Sequence, residues 1–177
     1  MAFKFNGTEL KSVIFNGTSL NKVICNGVTV WQRLLDILSV ASTYFGTWTG
    51  CAGTTSFGSS MVITTGKDGM TGYTTVSYKT KKGIDLTNFN TLTITGTEVA
   101  IVYDGPADVN VYLKMTGSGG TFTLFTKESR HNGAQTFPIS ISKDISSLKG
   151  EYTFTFEIYY YCKEDNVKIT INKFELS

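Results

Sequence analysis

Hydrophobic and polar residues alternate along most of this chain, and the period is two. The pattern is cleanest in "VNVYLKM", which puts Val109, Val111, Leu113 and Met115 on one side, and in "YTFTFEIYYY", which does the same with Tyr152, Phe154, Phe156, Ile158 and Tyr160. Strands are predicted over residues 61–65, 74–80, 91–97, 99–103, 109–116, 121–126, 135–141, 152–161 and 167–176, separated by turn signals and without helices between them. Short strands in that number imply a β-sandwich. In the last of them Val167, Ile169 and Ile171 are in phase while Phe174 and Leu176 are not, which predicts a bulge near Asn172-Lys173.

Ahead of this body one turn is written three times, ten residues apart: Phe5-Asn6-Gly7-Thr8, Phe15-Asn16-Gly17-Thr18 and Cys25-Asn26-Gly27-Val28. Asn-Gly between β-formers predicts a two-residue hairpin, because both central positions need positive φ. The register then pairs Phe5 with Thr8, Phe15 with Thr18, Cys25 with Val28, Lys4 with Glu9, Val13 with Leu20, Val23 with Val30 and Lys22 with Trp31. Followed through as one meander, the alternation gathers Phe3, Phe5, Leu10, Ile14, Val23, Cys25, Val28 and Val30 on one apolar face. Lys11 opposite Lys22 argues against the scheme. Such a face must pack on the main domain, on copies of itself or on a partner.

Residues 31–41, "WQRLLDILSVA", fit a short helix or a connecting strand, and Gly46, Gly50, Gly53 and Gly58 then break the chain into loops. The organisation expected is therefore a hairpin arm over 1–31, a connector and loop region over 32–60 and a sandwich over 61–177. Composition agrees with an all-β reading: of 177 residues 18 are Gly and 2 Pro, 13% are aromatic and only 17% charged.

The repeated hairpin units ending in Val30-Trp31 resemble N-terminal segments of bacteriophage and prophage tail or other virion structural proteins. That resemblance implies attachment to a particle, contacts with other virion proteins, self-association as a homotrimer in a fibre, and a location in the virion after synthesis in the bacterial host cytoplasm. "GIDLTNFNTLTI" and "SKDISSLKGEYTF" resemble each other, each setting an Asp-apolar-Ser/Thr corner before a strand, so Asp85 and Asp144 are expected to bond turn amides. With the two closing strands, this pair makes residues 83–177 similar to jelly-roll sandwiches of the galactose-binding, carbohydrate-binding-module type. No sugar-binding signature of that type transfers residue by residue.

Charge and motifs narrow the function. Net charge is +2 from 16 basic and 14 acidic residues, scattered rather than striped, which disfavours nucleic acid. No apolar run has the length of a membrane span, and the N-terminus lacks a signal-peptide pattern. Cys25, Cys51 and Cys162 match neither a zinc pattern nor a disulfide framework and read as buried thiols. One histidine, His131, sits in a polar "ESRHNG", and no nucleophile elbow, zincin or phosphate-loop motif is present. Glu151, Glu157, Asp104 and Asp108 could formally serve a glycosidase, but nothing pairs them in sequence. No catalytic residue, metal or cofactor is assigned.

If Phe154, Phe156 and Ile158 point inward, Thr155, Glu157, Tyr159 and Tyr161 point outward. Tyrosine faces stack on sugar rings while hydroxyls and carboxylates bond sugar hydroxyls, so this strand is the expected glycan surface, with Tyr44, Trp48 and Tyr73 as weaker candidates on expected loops. The alternative is that another element covers the tyrosines. Three function classes follow: a non-enzymatic virion protein binding host-surface glycan, a bacterial carbohydrate-binding or adhesin module, and a glycan-degrading enzyme.

Overall fold

A computed structural model describes residues 4–5, 8–9, 13–15, 18–20, 22–25, 28–32, 34–49, 53–66, 73–102, 109–129, 133–161 and 166–177, with side chains described from Leu34 onward except at 40, 42–43, 47–48, 102 and 129. Phe3, Leu10, Cys51, Asp104, Asp108, His131 and Cys162, singled out in the sequence, lie outside the described residues.

Within the first 32 residues the described strands pair as three antiparallel hairpins: β1 (Lys4–Phe5) with β2 (Thr8–Glu9), β3 (Val13–Phe15) with β4 (Thr18–Leu20), and β5 (Lys22–Cys25) with β6 (Val28–Gln32). Phe5 opposes Thr8, Phe15 opposes Thr18, Cys25 opposes Val28, and the Lys4–Glu9 and Val13–Leu20 pairs follow. Two expectations are corrected. Each hairpin is its own two-stranded sheet among the described residues, rather than part of one meander, consistent with the like-charge clash that a continuous sheet sets up between Lys11 and Lys22. In the third hairpin Ile24 opposes Thr29 but Val23 opposes Trp31, so Val30 is an extra residue in a bulge and the Val23–Val30 and Lys22–Trp31 pairs do not form. The side chains of the expected assembly face lie outside the described residues.

The body is a two-sheet antiparallel sandwich of jelly-roll type. Its elements are β7 (Leu35–Asp36), a 3-10 turn at Leu38–Val40, a single helical turn α1 (Ala41–Tyr44), β8 (Phe45–Thr49), β9 (Thr54–Phe57), β10 (Met61–Thr64), β11 (Tyr73–Thr80), β12 (Ile84–Asp85), β13 (Thr91–Val102), β14 (Val109–Gly117), β15 (Gly120–Ser129), β16 (Gly133–Asp144), β17 (Glu151–Tyr161) and β18 (Asn166–Leu176). One sheet runs β16-β13-β18-β10-β9 with β7 beside β18; the other runs β15-β14-β17-β11-β8 with β12 beside β17. Residues 35–57, read from sequence as connector and loop, thus add strands to both sheets. Gly46 is not a loop breaker: it lies inside β8 with φ +139°, where the register with β11 slips, a conformation that glycine adopts without a Cβ clash.

Alternation places the core. Val109, Val111, Leu113 and Met115 are buried on β14, and Tyr152, Phe154, Phe156, Ile158 and Tyr160 on β17. Phe45, Tyr78, Phe154, Phe156 and Phe174 join across the layers, with Phe154 and Phe174 edge to face at 4.9 Å between ring centres. The segments expected at 91–97 and 99–103 are one strand, β13. Opposite it Thr95 pairs with Lys173 and Gly96 with Ile171, leaving Asn172 as the bulge that brings Phe174 and Leu176 back to the interior. Both Asp corners form as expected: Asp85 accepts from the Thr87 amide and Asp144 from the Ser146 amide, each at 2.9 Å. The corners also clasp each other, through Ile145 N–H to the Asn90 carbonyl and Gly150 N–H to Thr87 Oγ1.

Candidate functional site

The parity that buries Phe154, Phe156 and Ile158 turns Thr155, Glu157, Tyr159 and Tyr161 of β17 to the opposite face of its sheet. The neighbours follow by register. On β11, Tyr73 opposes Tyr161, Thr75 opposes Tyr159 and Ser77 opposes Glu157; on β14, Asn110 opposes Tyr159 and Tyr112 opposes Glu157. Four tyrosines from three adjacent strands therefore share one outward patch.

Within it, Tyr73 stacks on Tyr159 with ring centres 5.2 Å apart and planes 9° from parallel, and meets Tyr161 at 5.4 Å and 54°. Tyr73 keeps 47% of its surface exposed, while Tyr159 and Tyr161 are half-buried. One row further down, Lys114 Nζ donates to Glu157 Oε1 at 2.7 Å and lies 5.2 Å from the centre of the Tyr112 ring. Ser77 and Thr49 hydroxyls are bonded at 2.6 Å beside them. Asn110 Oδ1 is buried without a hydrogen-bond partner, an acceptor held dry at the margin of the patch.

Tyr73, Tyr159, Tyr161 and Glu157, nominated from sequence, are thus brought together. Tyr73 opens a strand rather than lying on a loop. Trp48 is also on a strand: it sits on β8 at the edge of the same sheet, opposite Tyr78, and its side chain is outside the described residues. Tyr44 lies in α1 under the Lys82 ammonium, 4.7 Å from the ring centre. Sequence reasoning passed over Tyr112, Lys114 and Asn110, although the alternation in "VNVYLKM" that buries Val111 and Leu113 turns these three outward.

Chemically the patch offers aromatic stacking surface edged by hydroxyls and one ion pair. A glycosidase needs two carboxylates across its substrate. Among the described residues this face carries Glu157, already committed to Lys114, and, two strands away on β15 opposite Asn110, Glu128; Asp85 and Asp144 serve their corners, and Ser146 hydrogen bonds hold the Asp144 carboxyl below the usual carboxylate range. Among the described residues no group of three His, Cys, Asp or Glu is placed to hold a metal ion. A separate open groove of about 280 Å³ runs between β15 and β16, lined by Thr123, Leu124, Ser140, Ile141, Ser142 and Lys143.

No family model matches this chain, and no curated protein matches it. Solved structures similar to it include CBM4 (TM-score 0.40, 10% identity, covering 77% of this chain and 96% of that one). TmCBM61 in complex with β-1,4-galactotriose matches at TM-score 0.41 and 10% identity, covering 77% and 92%. TmCBM27, a module with specific mannan recognition, matches at TM-score 0.36 and 10% identity, covering 82% and 96%. Carbohydrate-binding β-sandwich modules are thus among the structures this chain is similar to.

Proposed function

We propose that this chain is a non-catalytic carbohydrate-binding β-sandwich whose ligand stacks on the tyrosine patch of the second sheet. The observation that carries the reading is the Tyr73–Tyr159–Tyr161 cluster, with Tyr73 exposed and the Lys114–Glu157 pair further along the same face. An aromatic ring of this kind takes the C–H face of a pyranose, and the adjoining hydroxyls, carboxylate and ammonium bond its hydroxyls. Affinity electrophoresis of the intact chain against soluble galactan, mannan and glucan tests it. Retardation by one polysaccharide that is abolished in Tyr73→Ala supports the proposal; unchanged mobility in all three, or retardation that survives Tyr73→Ala, refutes it.

A second reading concerns where such a module would act. The N-terminal hairpins pair with neither sheet of the sandwich among the described residues, which favours an arm that attaches the domain elsewhere, as in a phage tail, fibre or decoration protein. Light scattering of the intact chain beside one beginning at Leu34 tests this. An oligomer that becomes a folded monomer on truncation supports an assembly arm, whereas two monomers of equal stability exclude self-association through it. Copies joined in this way would raise avidity for a repeating glycan.

A further inference from the structure

Among the described residues one carboxylate is completely buried. Glu98 on β13 has no exposed surface, and neither of its oxygens has a hydrogen-bond partner. Register places it between Ile169 of β18 and Phe137 of β16. At this end of the sandwich the facing sheet presents Val109 and Val111 on β14 and Ile158 and Tyr160 on β17, all buried. Two titratable groups belong to this end of the facing sheet. Tyr160 is engaged, its hydroxyl donating to the Gly66 carbonyl. Lys127, on β15 opposite Val111, is the cation whose charge acts on Glu98.

Lys127 occupies a particular place. β15 and β16 are the edge strands of opposite sheets, and the Lys127 ammonium lies 4.1 Å from the centre of the Phe137 ring, so this contact bridges the side opening of the sandwich. Phe137 is also the register neighbour of Glu98. An ionised carboxylate cannot remain dry and unpartnered, and the flexible lysine stem next to it carries the complementary charge.

We propose that Glu98 and Lys127 form a proton-controlled latch between the sheets. While Glu98 is neutral, Lys127 rests on Phe137; when the proton leaves to solvent, the ammonium turns inward and pairs with the carboxylate. Burial raises the Glu98 carboxyl to about 7, with Lys127 opposing that shift, so the latch works near neutral pH.

The test is an NMR titration of the intact chain from pH 4.5 to 9, following the Glu98 carboxyl carbon, the Phe137 ring and the Lys127 ε-methylene. Expected are one shared midpoint near neutrality and a Lys127–Phe137 NOE present at low pH and lost at high pH. In Lys127→Met the Glu98 midpoint should rise by about one pH unit or more, and the Phe137 signals should cease to follow it. Glu98→Gln supplies a second variant, in which the NOE should persist to pH 9. An NOE that survives Glu98 ionisation in the unmodified chain, its loss at high pH in Glu98→Gln, or a Glu98 midpoint near 4.5 overturns the latch.

Discussion

The rings of Tyr73 and Tyr159 lie 5.2 Å apart and 9° from parallel, tying the first residue of β11 to the outward face of β17. Because the two rings support each other, Tyr73→Ala removes both a stacking surface for ligand and a cross-strand contact. On the proposed reading, affinity for a glycan ligand should fall about tenfold or more. Stability should fall by only about 1 kcal/mol. Calorimetric titration beside a chemical melt separates the two.

Glu98→Gln should stabilise the fold at high pH. The carboxyl is raised in the folded state from 4.5 to about 7, so folded and unfolded chains are both protonated below 4.5 and the group is then neutral in its effect. Between 4.5 and 7 the unfolded chain releases its proton first, and stability falls as pH rises. Above 7 the loss is complete, about 3 kcal/mol as an order of magnitude. Urea melts of both chains should therefore coincide near pH 4.5 and diverge by pH 8, with the glutamine variant more stable.

Two buried threonines lend hydroxyl oxygens to strand amides. Thr80 Oγ1 accepts from Phe154 N–H at 3.1 Å and Thr65 Oγ1 from Val167 N–H at 3.0 Å. Thr80→Val and Thr65→Val keep the shape and strand the amide, so each should cost about 1–3 kcal/mol, while the serine variants should cost less. Thermal melts of the four variants decide it.

Gly96 should tolerate no side chain. A Cβ there would meet the Thr170 carbonyl oxygen and lie 3.0 Å from Ile171 Cα, backbone atoms that cannot rotate away. Gly96→Ala is expected to destabilise by about 1–3 kcal/mol or more, read as a lower denaturation midpoint.

The sequence made most of the sandwich legible because alternation survives wherever one strand face is covered. The phase slip at Asn172 announced its bulge for the same reason: Phe174 and Leu176 had to regain the interior. The outward face of β17 was legible from its alternation, whereas Tyr73 was expected on a loop and the equally clear parity of β14 was not followed to its outward residues. β8 and β9 were not legible, being short, rich in threonine, interrupted by Gly46 in β8, and without clear parity. The bulge at Val30 was hidden because Val30 and Trp31 are both apolar, so either can oppose Val23 and a slipped register leaves no mark. Glu98 shows a conflict of signals: parity with Ile94 and Ala100 points inward, while its charge argues for solvent. Packing context settled it.

The two strands that come last in the chain, β17 and β18, are the middle strands of their respective sheets. Until β17 and β18 have been made, β13 and β14 each lack the central neighbour they need. Closure of both sheets is therefore a late, nearly simultaneous event dominated by contacts distant in sequence, which makes for slow folding and a long exposure of unpaired edges.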